Sequence, residues 1–198
     1  QGVRDNTCIF FMGDNGPSRE SRNWLDGTLD HYYGSSAGAL KGHKFSLYDG
    51  GVRVPGILNW PARIPERQVL DQPVAAMDIM PSMLKAAGGD PSEYDVDGMD
   101  IMPYVADGKA LPERDLFWEM NDQTAMRRGK YKLVLKGQLV EGAPPEDDVH
   151  LSDLTVDMGE KVNLANEHPE LTQELKQTAQ AWREKIETLW DEMQKQPT

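Results

Sequence analysis

Thr7-Cys8-Ile9-Phe10-Phe11-Met12-Gly13-Asp14-Asn15-Gly16-Pro17 is the stretch that decides how this chain reads. Its apolar run is continuous rather than alternating, the pattern of a strand buried on both faces near the centre of an α/β sheet. Gly13 to Pro17 then end it sharply. Polar residues at the C-terminal end of such a strand stand where open α/β sheets place their ligands. Asp14 and Asn15 set a carboxylate beside an amide oxygen, which suits a hard cation such as Ca²⁺ or Mg²⁺. A complete cage takes about six oxygens or more. Asp-Asn-Gly is also an ordinary turn sequence, so the pair by itself amounts to half a site.

Outward from that strand, residues 18–42 are polar and rich in Gly and Ser, and read as a long functional loop. Residues 52–60 read as a second strand with Pro55 at a bulge or edge position. A helix is expected over residues 78–87, with Asp78 as N-cap, Pro81 in the first turn and Gly88-Gly89 as the stop. From Leu116 to Asp153 the style changes. Short apolar runs separated by Asn121-Asp122 and Gly129-Lys130 predict an antiparallel meander. Pro169 opens a long helix whose Leu171, Leu175, Ala179, Trp182, Ile186, Leu189 and Met193 form one apolar stripe. The chain thus divides into an α/β segment, residues 1–110, and a sheet-plus-helix segment, residues 111–198.

Composition sets the outer limits. The chain has 198 residues, 38% of them apolar, enough for one domain or two small ones. Asp and Glu outnumber Lys and Arg by 33 to 21, for a net charge of -12. That sign repels phosphate backbones and anionic lipid, so neither nucleic acid nor a membrane is expected as partner. No stretch has the length and apolarity of a membrane-spanning helix. Cys8 is the single cysteine, so no intrachain disulfide forms, and its apolar neighbours predict a buried, inert thiol. The first residues, Gln1-Gly2-Val3, show no initiator Met and no signal pattern, which suggests a processed chain or a portion of a longer one.

Lys44 is the second candidate for chemistry. A lysine ammonium binds an anionic ester and offsets charge on a leaving oxygen. His43 gains interest from standing next to it. The four histidines form no zinc-type cluster in sequence. Asn15-Gly16-Pro17-Ser18-Arg19 is similar to a Cys-x-Pro-Ser-Arg signature, but its first residue is an Asn, which does not oxidise to an aldehyde.

Taken in order, these segments resemble the formylglycine-dependent (type I) sulfatases of the alkaline-phosphatase-like superfamily. Met12-Gly13-Asp14-Asn15-Gly16 is similar to a family strand ending in Ser/Thr-Asp-Asn-Gly. The segment from Lys44 through Tyr48-Asp49-Gly50-Gly51 to Arg53 and Pro55 resembles Lys-x-x-x-Tyr/Trp-Glu-Gly-Gly-x-Arg-x-Pro. Asp78-Ile79-Met80-Pro81-Ser82, Asp97-Gly98-Met99-Asp100 and Leu151-Ser152-Asp153-Leu154, with Gly159-Glu160 and Asn163-Leu164-Ala165, follow collinearly. The resemblance implies the C-terminal part of an alkaline-phosphatase-like α/β sheet, followed by a small antiparallel sheet packed on a long C-terminal helix.

It also implies roles. Asp14 and Asn15 would be two protein ligands of a Ca²⁺, Lys44 would contact the sulfate ester near its bridging oxygen, and His43 and the loop 19–33 would line the substrate pocket. Gly50, Gly51 and Arg53 would shape the segment that presents Lys44. The family's formylglycine precursor, in Cys/Ser-x-Pro-Ser-Arg, and the Asp-Asp pair completing the metal site lie upstream in the family pattern and are absent from these residues. The chain alone is therefore expected to bind Ca²⁺ weakly and not to turn over. Expected substrates of an intact enzyme are small sulfate esters or sulfated glycans, and the expected location is periplasmic or secreted. Self-association through an exposed sheet edge is expected as well. Two alternatives stand beside this reading: a phosphatase or phosphonate monoester hydrolase of the same superfamily, which typically carries Asp-His where Asp14-Asn15 stand, and a non-catalytic interaction module.

Overall fold

A computed structural model of the chain describes residues 2–18 and 35–195. In chain order its elements are strand β1 (Ile9–Met12), the helical turn α1 (Asp49–Val52), β2 (Gly56–Asn59), helices α2 (Ile79–Ala86) and α3 (Met102–Asp107), strands β3 (Asp115–Met120), β4 (Gln123–Arg128), β5 (Tyr131–Leu135) and β6 (Val149–Asp153), and helix α4 (Pro169–Gln194). They fall into two compact units, one formed by Gln1–Met12 with Gly56–Glu113, the other by Gly13–Pro55 with Arg114–Thr198.

In the first unit, β1 pairs antiparallel with β2, Phe11 opposite Ile57. The apolar run was expected to be buried on both faces. Instead burial alternates along it, with Phe11 62% exposed and Ile57 60% exposed. The strand has one partner among the described residues, and nothing within its unit covers that face. Cys8 is half-buried rather than sealed in a core, and burial still pushes its thiol pKa up. The second strand starts later than read, at Gly56, because the residues before Arg53 close a helical turn.

Helix α2 forms where its periodicity predicts, with Asp78 at the N-cap position but without a capping bond from its side chain. The fully buried Asp78 carboxylate accepts the N–H groups of Ala75 (2.7 Å) and Met99 (3.0 Å) instead. Ser82 Oγ donates to the Asp78 carbonyl and accepts from the Ile101 N–H, which ties α2 to the segment leading into α3. Gly98 is required here, since a Cβ would lie 2.0 Å from the Met77 carbonyl oxygen. Ile101, Tyr104 and Val105 make the small core of this unit.

The second unit is built on a four-stranded antiparallel sheet in sequence order, β3-β4-β5-β6. Two-residue turns join the first three strands, and Asn121 (φ 53°) and Gly129 (φ 54°) supply the left-handed backbone such hairpins need. Side-chain alternation gives the sheet two covered faces. Met126, Leu133 and Leu151 bury one face against Leu175 and Ala179 of α4, with Trp182 stacked on Phe117 at 5.0 Å. Arg183 of α4 donates to the carbonyls of Asn121 and Gln123 and to Thr124 Oγ1. The stripe on α4 continues past this contact, and Leu189 and Met193 are exposed. The opposite face of the sheet meets Leu47 and Tyr48, which pack on Ala125 and Val134. Among the described residues no helix is long and apolar enough to cross a membrane.

Candidate functional site

Two backbone segments that the sequence keeps apart meet in the second unit through glycine. The Gly16 N–H donates to the Gly51 carbonyl (2.8 Å), and the Lys44 N–H donates to the Pro17 carbonyl (3.0 Å). The Gly50 N–H donates to the Lys41 carbonyl (2.7 Å). This approach leaves no space for side chains. A Cβ on Gly16 would lie 1.8 Å from the Gly50 carbonyl oxygen, one on Gly50 2.3 Å from that of Gly42, and one on Gly51 2.0 Å from that of Ser46. The helical turn α1 therefore works as a backbone junction. It fixes residues 14–17 against residues 41–46, which brings Asp14-Asn15 and His43-Lys44 to one junction at the level of the backbone.

Asp14 is exposed and Asn15 half-buried. Asp14 Oδ1 accepts the N–H of Asn15 (3.0 Å), and Asn15 Nδ2 donates to the Gly16 carbonyl (2.8 Å). The second bond turns the amide so that its oxygen faces away from Gly16 O. The pair thus offers hard oxygen donors, the set that suits Ca²⁺. Among the described residues no group of three or more His, Cys, Asp or Glu side chains is arranged to hold a metal ion. His43 and Lys44 are both half-buried, and the Lys44 ammonium sits 5.2 Å from the centre of the Phe45 ring. Phe45 has left-handed backbone (φ 73°), so the chain bends sharply beside Lys44. The expected pocket loop, residues 19–33, lies outside the described residues.

Beneath the junction lies a group of buried polar side chains that local sequence reading missed. Lys132 of β5 is fully buried, its ammonium 2.6 Å from Asp49 Oδ1 and 3.3 Å from Glu160 Oε1. Glu160 Oε2 accepts the Asp49 N–H (2.5 Å). Burial pushes the Glu160 carboxyl above its usual range, and the Lys132 charge works against that shift. Glu160 also holds left-handed backbone (φ 49°). Gln123, at the start of β4, is likewise fully buried. Its Nε2 donates to the Phe45 carbonyl (2.9 Å), and its Oε1 accepts from the Gln138 N–H (2.9 Å).

A third buried group faces Tyr48. His150 of β6 meets the Tyr48 ring edge-on at 5.3 Å, and its Nδ1 lies 2.8 Å from Asp147 Oδ2. Burial holds the imidazole pKa below its usual range, while Asp147 pulls it up. The Lys41 ammonium lies over the Tyr48 ring at 4.3 Å and pairs with Glu146 at 2.6 Å.

Sulfatases are similar to this chain in sequence and in fold. The family model for sulfatases matches residues 1–89. Human steryl-sulfatase is 38% identical over 109 residues, covering 54% of this chain and 18% of that protein. Human arylsulfatase A is 28% identical over 200 residues, covering 89% of this chain and 38% of its own length. A solved sulfatase from Pseudoalteromonas sp., PsFucS1, superposes with a TM-score of 0.66 at 25% identity, over 95% of this chain and 38% of that one. The chain is similar to sulfatases in sequence and has the alkaline-phosphatase-like fold of solved sulfatases. It spans between 18% and 38% of the lengths of these relatives.

Proposed function

We propose that this chain supplies one side of a sulfate-ester hydrolysis site. Asp14 and Asn15 are two of the oxygen ligands of a Ca²⁺, Lys44 contacts the ester near its bridging oxygen, and His43 borders the substrate. The observation that carries this reading is the glycine junction, where Lys44 N–H to Pro17 O and Gly16 N–H to Gly51 O join the two candidate segments. Similarity to sulfatases supports the reaction type.

A cation bound at Asp14 and Asn15 would neutralise sulfate oxygens and polarise the S–O bonds. This chain's own residues act on the rest of the ester. The Lys44 ammonium offsets the negative charge that develops on the leaving oxygen as the S–O bond breaks. Its half-buried position strengthens that interaction relative to open water. The formylglycine nucleophile and the remaining metal ligands are not among these residues, so the chain by itself binds weakly and does not turn over. The substrate of the intact enzyme is a small sulfate ester or a sulfated glycan, and the protein works in the periplasm or outside the cell.

The test is a titration of the chain with Ca²⁺ and inorganic sulfate, followed in ¹H–¹⁵N spectra, with 4-nitrophenyl sulfate assayed in parallel. Saturable shifts at Asn15 and Lys44, lost in Asp14→Ala, are expected, with no release of nitrophenol. Shifts confined to other residues overturn the site. Turnover by the isolated chain overturns its incompleteness.

A further inference from the structure

We propose that Gln123 and Lys132 are positioning residues, a two-point clamp by which the four-stranded sheet sets the place of Lys44. The reacting role of Lys44 rests on the sulfatase reading above; the clamp itself rests on geometry alone. The two side chains point from the same face of the sheet. Arg127 pairs with Lys132 and Ala125 with Val134 across β4 and β5, so Gln123, Ala125, Arg127, Lys132 and Val134 alternate onto one side. Gln123 grips the Phe45 carbonyl, one residue beyond Lys44. Lys132 grips the Asp49 carboxylate, at the first residue of α1. Leu47 and Tyr48 pack on Ala125 and Val134 between the two grips. The segment that carries Lys44 is therefore held at both ends and pressed in the middle.

The choice of residues is what points to placement rather than stability. Three ionisable side chains and one amide are buried where apolar side chains of similar volume are as good or better for stability. Directional groups have a benefit that apolar ones lack, since they fix one register and one distance. Phe45 and Glu160 both hold left-handed backbone, a conformation that persists where surrounding contacts over-determine it. Both lie directly on the clamp, Phe45 as the acceptor for Gln123 and Glu160 as the partner of Lys132. The grip then passes to the other candidate residues through the junction. Asp49 begins the turn whose Gly51 carbonyl receives the Gly16 N–H, two residues past Asp14.

The test uses two variants that remove the grip without leaving an uncompensated buried charge: Gln123→Met, and the triple Asp49→Asn, Lys132→Met, Glu160→Gln. Amide hydrogen exchange is read residue by residue in the full chain, with thermal unfolding and an inorganic sulfate titration alongside. The Lys44 and Ser46 amides are expected to exchange about tenfold faster in each variant, while Leu133 and Leu151 stay within about twofold of wild type. Sulfate affinity at Lys44 falls about tenfold with little change in Tm. A purely structural role predicts one common factor at all amides, and that result overturns the clamp. So does unchanged protection at Lys44 and Ser46. A wild-type chain whose Lys44 and Asn15 do not respond to sulfate refutes the sulfate site instead; the exchange pattern still decides the clamp.

Discussion

The two faces of the four-stranded sheet are built on opposite principles. The face under α4 is apolar at its centre, with Met126, Leu133 and Leu151 against Leu175 and Ala179, and keeps its ions at the rim, where Arg128 meets Asp115 and Glu174. The face under the Lys44 segment buries Gln123, Lys132, His150 and Ser152 among a few apolar contacts. The first arrangement holds a helix in place with tolerance for small shifts, because hydrophobic contact is non-directional. The second gives up that tolerance for angles and distances. A sheet that only needed stability would have two faces of the first kind. Burying charge on one side is the mark of a surface that must hold its neighbour in one position.

The contrast can be broken most severely at Lys132. Lys132→Met leaves Glu160 buried without its cation and Asp49 with only the half-exposed Arg53 at 3.7 Å, and should destabilise the chain by about 3–5 kcal/mol in urea unfolding. Leu151→Ala, on the apolar face, should cost about 3 kcal/mol through its cavity. Restoring charge balance separates the two faces. The triple Asp49→Asn, Lys132→Met, Glu160→Gln should recover most of the Lys132→Met loss, whereas no charge change recovers Leu151→Ala. If the triple is as unstable as the single variant, the polar face owes its stability to the ion group, and the comparison fails.

A smaller effect is pH-dependent. The folded pKa of His150 lies below its unfolded value, so the unfolded chain binds the proton first as pH falls. Stability attributable to His150 is complete above about pH 6.5 and declines below it, by at most about 1.4 kcal/mol per pH unit. The group faces Asp147, Glu146 and Lys41 as well as the Tyr48 ring. Comparing urea midpoints from pH 8 to pH 5, His150→Gln should be flatter than wild type across that window. An equal slope in both assigns the acid loss to other groups. The smallest effect belongs to the rim of the apolar face. Glu174 is well exposed, so Glu174→Gln should change stability by about 0.5 kcal/mol or less despite its 2.6 Å contact with Arg128.

Much of this architecture was legible in the chain. Asn121-Asp122 and Gly129-Lys130 marked the hairpins, and the spacing from Leu171 to Trp182 marked the face that α4 buries. Local patterns carry both, since each depends on neighbours a few residues away. The helical turn α1 was hidden because Gly50-Gly51 has poor helix propensity, and only tertiary packing makes it wind. The short helix α3 was masked by Pro103 in its first turn. Lys132 stands in Tyr-Lys-Leu-Val-Leu, where an alternating strand suggests a solvent-facing lysine. Its partners are 83 residues before it in sequence, at Asp49, and beyond β6, at Glu160. No window along the chain contains them together. Of the candidate residues, the sequence presented Asp14, Asn15, His43 and Lys44 as separate motifs; only the glycine contacts show that two of those motifs share one junction.

That junction has a practical consequence for anyone altering the protein. Side chains absorb error, since a displaced neighbour can be met by a different rotamer. Gly16, Gly50 and Gly51 meet carbonyl oxygens with nothing in between, so a displacement on one side passes undamped to the other. Directed variation meant to retune what the chain recognises should leave these three positions fixed and explore the surrounding loops, where a poor choice stays local.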